Sequence, residues 1–218
     1  MKIEVLYEDE YYIAVNKPAP MLTHPTQEDR KEKVNLLFAV RDQIDLKLYP
    51  IHRLDRQTSG VIIFAKIPKA VTLIKLIWNT DLVRKEYITL VKGVIDRGGK
   101  FEFPLKNENK KIQAAITNYN PIKVYKDASL VDVEIRTGRR HQIRRHFGRR
   151  MQHIIGDRRY GKKIHNNYYL EEYGLNRLFL HAHKLTFEHP YLLKKIVINA
   201  PLMDDLQLVL NKLDKSIL

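Results

Sequence analysis

Apolar positions along the chain switch between period two and helical spacing, and the switches divide it into short elements. Residues 3–7 (IEVLY) and 11–16 (YYIAVN) predict two strands around the acidic turn Glu8-Asp9-Glu10. A polar connector, 22–33, leads to Leu36, Leu37, Val40 and Ile44, whose spacing predicts a helix over 34–44. The polar stretch IHRLDRQTSG, 51–60, runs into the apolar strand VIIFA, 61–65. Ala70, Val71, Ile74 and Ile77 then share one face of a helix over 69–78. Strands follow at 85–95, at 115–125 with an interruption at Pro121, and at 130–138 up to Gly138. Thr137 is placed to cap a helix over about 139–148. Residues 177–190 and 193–201 predict a closing strand pair, and 203–213 a last helix. Strands dominate and the helices do not alternate with them. The pattern therefore predicts the α+β class: one domain over 1–218 with a largely antiparallel or mixed sheet and flanking helices and loops.

Composition narrows this picture. A chain of 218 residues with 44% hydrophobic content can bury a sizeable core. The absence of cysteine removes disulfides, thiolate metal sites and a Cys nucleophile together. No apolar run approaches the length of a membrane span, and MKIEVLYEDE lacks a signal pattern, so a cytoplasmic protein without membrane attachment is expected. The net charge of +14 points to a polyanionic partner. Most of it is local. Residues 136–163 hold nine Arg, two Lys and the single acid Asp157, a net +10 that leaves +4 for the rest of the chain. Arginine suits bidentate phosphate contact and stacking on bases, so the window predicts an RNA or DNA contact over a merely solvated basic face.

Asp55 carries the most pointed candidate chemistry. It lies between Arg53 and Arg56 and is followed by Thr58-Ser59-Gly60. Positive neighbours favour the ionised form of a carboxylate, which makes it a poor proton donor and a suitable nucleophile. A loop salt bridge is the plainer reading of the same residues. No second carboxylate stands in a comparable setting, which weakens a paired-acid glycosidase. The histidines His141, His146, His153, His181 and His183 have no ligand spacing that suggests a metal. On a helix, Arg140 and Arg144 would share one face and His141 and Arg145 the next. Tyr87, at a strand start, reads as core or as a base-stacking aromatic; Trp78 and Tyr11-Tyr12 read as core. A non-catalytic RNA-binding protein and a hydrolase are the rival classes. The first has no use for an acid beside its phosphate grip, and the second would want a metal cluster or another placed acid.

Five ordered motifs resemble the RluA-type pseudouridine synthases. They are Asn16-Lys17-Pro18, His52-Arg53-Leu54-Asp55 with Thr58-Ser59-Gly60, Lys85-x-Tyr87 with Gly93, Thr137-Gly138-Arg139-x-His141-Gln142-Ile143-Arg144, and Leu180-His181-Ala182. Stretches 29–34, 41–44, 154–157 and 173–178 are similar to the branch of that family acting on uridine 65 of tRNA. The resemblance implies a single pseudouridine-synthase-type catalytic domain that isomerises a uridine in structured RNA, with no cofactor or metal; a monomer is the plain expectation. Ribosomal RNA is the alternative substrate. It implies Asp55 as nucleophile, Arg144 as the group keeping it ionised, and Tyr87 stacking on the base and helping to move the proton. Arg53 would fill the space left by the flipped nucleotide, and Ile143 and Leu180 would shape the pocket. His52, Arg139, Arg140, His141 and Arg145 complete the expected RNA-binding set. Two departures stand out. Ala19-Pro20 stands where the family usually has a small residue and then Gly after N-K-P, and no S4-type RNA-binding module is expected ahead of the domain, so the domain itself is expected to grip the RNA.

Overall fold

The computed structural model describes residues 2–25 and 34–216. Most of the polar connector, and all but Val34 of the 29–34 stretch, lies outside the described residues. The chain forms two compact units, each assembled from two segments: residues 1–84 with 182–201, and residues 85–181 with 202–218.

In the first unit, β1 (Val5–Glu8), β2 (Tyr12–Lys17), β4 (Ser59–Ala65) and β11 (Leu180–Glu188) are neighbours in that order. The short β3 (Tyr49–Pro50) pairs with β4, and β12 (Lys195–Asn199) pairs antiparallel with β11, as the closing strand pair predicts. Every residue of β2 and of β4 is buried. That explains the unbroken apolar runs YIAV in β2 and VIIFA in β4, the pattern of strands covered on both faces. The helices α1 (Leu36–Ile44) and α2 (Pro68–Ile77) bury Leu36 with Val40 and Ala70 with Ile74, the residues their spacing selects. Asn35 caps α1 by accepting from the Phe38 N–H at 3.1 Å. The Tyr12 hydroxyl fixes α2 to the sheet by donating to the Ala70 carbonyl at 3.0 Å. The acidic turn is structural. Its Asp9 accepts from the Tyr11 and Tyr12 amides and meets Nε2 of His189 at 2.9 Å.

In the second unit the order is β5 (Val83–Lys92), β10 (Ala128–Ile135), β9 (Thr117–Val124) and β6 (Gly99–Phe101), with antiparallel pairing throughout. A hairpin of β7 (Leu105–Lys106) and β8 (Ile112–Gln113) stands apart from that sheet. The helices are α3 (Gln142–Arg149), α4 (Lys163–Tyr173) and α5 (Asp204–Lys215). Leu90, Leu130 and Phe179 form a core with Tyr169 of α4 and Leu206, Val209 and Leu213 of α5.

Pro121 does not end its strand. Strand β9 runs on through it to Val124, and the register with β10 shifts beside it, between Leu130 and Val131. Thr137 is not the cap of α3. The helix starts at Gln142 behind His141 in the left-handed conformation (φ 53°), and the Thr137 hydroxyl bonds the Gln142 side chain instead. Arg140 therefore precedes the helix and shares no helical face with Arg144. Helix α4 has no counterpart among the elements that the sequence predicts. The chain is of the α+β class, with sheet and separate helices. Among the described residues no helix is long and apolar enough to cross a membrane.

Candidate active site

The Asp55 loop is held by residues from outside it. Leu54 is buried, while Arg53 and Arg56 are exposed and Asp55 is half-buried. The Thr23 hydroxyl donates to the Leu54 carbonyl at 3.1 Å and accepts the Leu54 N–H at 3.2 Å. One side chain thus fixes both peptides around the residue that separates Arg53 from Asp55. Lys17 is fully buried, and its ammonium donates to the carbonyls of Met21 (2.6 Å), Pro18 (3.0 Å) and Arg56 (3.2 Å). A buried ammonium needs such partners, and here they fasten the N-K-P segment to the residue after Asp55. The Ala19–Pro20 peptide within that segment is cis. The Thr58 N–H closes the turn onto the Asp55 carbonyl at 3.0 Å.

Gly60 ends the loop at φ +112°, and a Cβ there would collide with the Ala182 backbone. Two of the motifs therefore meet through a close approach that only glycine allows. His52 accepts the Ile63 N–H on Nε2 at 3.2 Å and packs on Trp78, so its ring steadies the loop entrance. Burial, and then the charge of Arg53, lower the pKa of nearby His24.

In the second unit, Tyr87 is buried on β5 opposite Val133, and Ile143 and Leu180 are also buried. Lys85 is buried two residues before Tyr87. Burial, and then the charge of Arg139, lower its pKa to about 8. The T-G-R-x-H-Q-I-R segment is latched by Gln142, whose carboxamide accepts from the Thr137 hydroxyl (2.7 Å) and the Arg139 N–H (3.1 Å) and donates to the Ile116 carbonyl (2.8 Å).

Arg144 is gripped by Asp157, with Nε to Oδ2 at 2.8 Å and Nη2 to Oδ1 at 2.9 Å. The Asp157 side chain is fully buried and also accepts the Arg159 and Tyr160 amides. Its burial works to raise the pKa, but the Arg144 guanidinium and the two amides outweigh it and hold the carboxyl below its ordinary range. Tyr160 lies against the Arg144 and Arg159 guanidiniums and meets Nδ1 of His141 at 3.0 Å. Arg139 donates to the Ala114 carbonyl and Arg145 to that of Lys106, each at 3.0 Å, and Arg140 pairs with Glu108.

The sequence-predicted set thus divides. His52, Arg53 and Asp55 belong to the first unit; Tyr87, Arg139, Arg140, His141, Ile143, Arg144, Arg145 and Leu180 belong to the second. Sequence reasoning did not single out Thr23, Gln142, Asp157 or Tyr160. For Asp157 a signal existed: a lone acid among eleven cations is a natural ion-pair partner. Among the described residues no cluster of three or more His, Asp or Glu side chains is gathered for a metal.

A sequence profile of RNA pseudouridylate synthases matches residues 11–148, which include the Asp55 loop and the Arg144 motif. The chain belongs to this family. Among curated RNA pseudouridylate synthases it is 38% identical to tRNA pseudouridine synthase C of Haemophilus ducreyi, over 97% of this chain and 96% of that protein. It is 39% identical to the protein of the same name from Pasteurella multocida, over 92% and 91% of the two chains. The fold is shared with Human RNA Pseudouridylate Synthase Domain Containing 4, at a TM-score of 0.79 and 21% identity, covering 97% of this chain and 93% of that one. The domain-containing-1 protein superposes with a TM-score of 0.76 at 19% identity, covering 94% and 86%.

Proposed function

We propose that this chain converts uridine 65 of tRNA to pseudouridine, with Asp55 as the attacking carboxylate. The observation that carries the reading is the clamped loop. An attacking group acts only if its position is fixed to within a fraction of an ångström, and Thr23 and Lys17 restrain the backbone on both sides of Asp55. The tRNA substrate is supported by relatives 38% and 39% identical over nearly the whole chain, each named tRNA pseudouridine synthase C.

The product is an isomer of the substrate, so no co-reactant is needed. The bond between the ribose anomeric carbon and the ring nitrogen breaks, the base turns, and a ring carbon forms the new bond. That carbon gives up its proton and the nitrogen takes one. Asp55 bonds or closely faces the sugar while the base is detached, and Arg144 keeps the carboxylate charged. Tyr87 stacks on the base and assists the proton's transfer. The base must leave its helix, at a cost of a few kcal/mol, and Arg53 offsets part of that by filling the gap. Ile143 and Leu180 wall the pocket, His52 supports the loop, and Arg139, Arg140, His141 and Arg145 hold phosphates. Residues 1–218 act as one catalytic domain, as a cytoplasmic monomer without cofactor or metal.

Pseudouridine mapping of RNA from cells with and without the gene, complemented by wild type or Asp55→Ala, tests this. A tRNA signal at position 65 restored by wild type and not by Asp55→Ala is expected. A lost signal in ribosomal RNA would overturn the substrate. Full rescue by Asp55→Ala would overturn the nucleophile.

A further inference from the structure

Helix α4 presents Lys163, Asn167 and Leu170 to a cavity of about 370 Å³, completed by Arg158, Asn176 and Leu175. Lys163, Asn167 and Leu170 recur at positions i, i+4 and i+7, one stripe of the helix. The cavity is far larger than a water site and falls within the range of small-ligand pockets. Two cations line it and no carboxylate does. In a chain of net charge +14, Arg158 and Lys163 around a concave surface without a counter-acid give a local positive potential that favours an anion.

The polar groups are available for that role. Arg158 makes one long bond, to the Asn176 carbonyl at 3.4 Å. Among the described residues the side chains of Lys163, Asn167 and Asn176 make no hydrogen bond or ion pair. Carboxamides both donate and accept, which suits the edges of a base or a ribose, and the two leucines offer an apolar surface for the rest of a nucleoside. The wall is preformed. Asn166 accepts the Gly156 N–H at 2.9 Å and donates to the Asp157 carbonyl at 3.0 Å. Gly156, at φ +80°, lies so close to Arg177 that a Cβ would strike its carbonyl. The same short loop thus bounds the cavity and supplies the carboxylate that grips Arg144.

We propose that this cavity takes one nucleotide of the RNA substrate other than the isomerised uridine, with its phosphodiester on Arg158 and Lys163 and its base edge or ribose on Asn167 and Asn176. The inference rests on the RNA reading above and adds a contact remote from the chemistry.

The test is the affinity of the full chain for an unmodified tRNA transcript across a salt series. Wild type is compared with Lys163→Ala/Asn167→Ala and with Asn167→Asp, all at exposed positions. The double variant is expected to bind about tenfold more weakly, with a salt slope shallower by about one phosphate contact, and its loss in turnover to fall on KM. Asn167→Asp, which brings a negative charge into the cavity that takes the nucleotide, is expected to weaken binding as well. Wild-type affinity and slope in both variants would overturn the proposal. So would unchanged tRNA binding in variants that lose thermal protection by inorganic phosphate, the mark of a free-anion site. Asp55→Asn runs beside them. Lost product with retained affinity keeps the catalytic reading whatever the cavity variants do, and retained product removes that reading while the affinity data still decide the cavity.

Discussion

The Asp55 loop and the approach to α3 hold charged side chains by opposite means. In the loop, the restraints act on the backbone: Thr23 and Lys17 bond the peptide groups of Leu54 and Arg56, and Gly60 lets Ala182 come close. Around α3, the restraints act on side chains one at a time: Asp157 on Arg144, Glu108 on Arg140, and a carbonyl each on Arg139 and Arg145. A clamped backbone places one reactive group without touching it. Individually tethered arginines do not depend on one another for their positions. On the proposed roles, substitutions in the first region and of Arg144 itself should strike kcat, and those of Arg139, Arg140 and Arg145 should strike affinity or local stability.

The largest effect that would sharpen this contrast comes from Asp157. Removing one partner of a buried ion pair leaves the other charge uncompensated, at a cost of roughly 3–5 kcal/mol. Asp157→Ala is expected to lower stability by that order in urea unfolding, with the loss concentrated around α3. Asp157→Asn, which keeps the shape and can still accept the Arg159 and Tyr160 amides, should lose less. A cost for Asp157→Ala near that of an exposed pair, below about 1 kcal/mol, would show that the tether is not what holds Arg144.

A smaller effect on stability, and a sharper one on rate, is expected at Thr23. Thr23→Val keeps the shape and removes both bonds to Leu54, a stability loss of about 1–2 kcal/mol. If the clamp aims Asp55, kcat falls about tenfold while tRNA affinity holds, and Thr23→Ser restores most of the rate. Single-turnover kinetics alongside binding separates the two. Equal kcat in Thr23→Val and wild type would break the comparison, because the loop would then keep its geometry without its clamp.

The sequence exposes one of these regions more fully than the other. The candidate loop is legible because Asp55 and its arginines fall within four residues of sequence, and β4 is legible because VIIFA is buried on both faces. The clamps are not legible. Thr23 and Leu54 are 31 residues apart, and nothing local distinguishes a hydroxyl that bonds a distant peptide from one facing water. The start of α3 differs from its expected place because Gln142, not Thr137, organises the turn through its side chain. Helix α4 escapes because KIHNNYYLEEY gives no apolar stripe: Tyr169 is its one buried residue, and its polar face lines a cavity. With one buried residue in eleven, α4 lacks the apolar periodicity on which helix prediction depends.

The last expected effect is absent at neutral pH and is a local response to acid. His146 is fully buried in α3, and burial chiefly, with Arg149 and Arg145 adding, lowers its pKa to about 4 against the bond to the Phe103 carbonyl, which opposes the shift. Its neutral form fits a defined chain of bonds. The Gln142 amide donates to the Thr117 hydroxyl at 3.0 Å, that hydroxyl donates to Nδ1 at 2.9 Å, and Nε2–H donates to the Phe103 carbonyl at 3.1 Å. Protonating Nδ1 reverses the middle bond and leaves the Thr117 hydroxyl proton without that acceptor. The folded pKa lies below the unfolded value of 6.5, so the unfolded state binds the proton more readily. Stability from this group is therefore complete above pH 6.5 and declines as pH falls toward 4, by at most roughly 1.4 kcal/mol per pH unit. Hydrogen exchange corrected for intrinsic rates is expected to show amides of α3 and β9 losing protection across that window before those of β4. His146→Gln, whose carboxamide can serve both partners without titrating, should flatten the response. Uniform loss of protection in both regions, or an unchanged profile in His146→Gln, would mean that the acid sensitivity of α3 lies elsewhere.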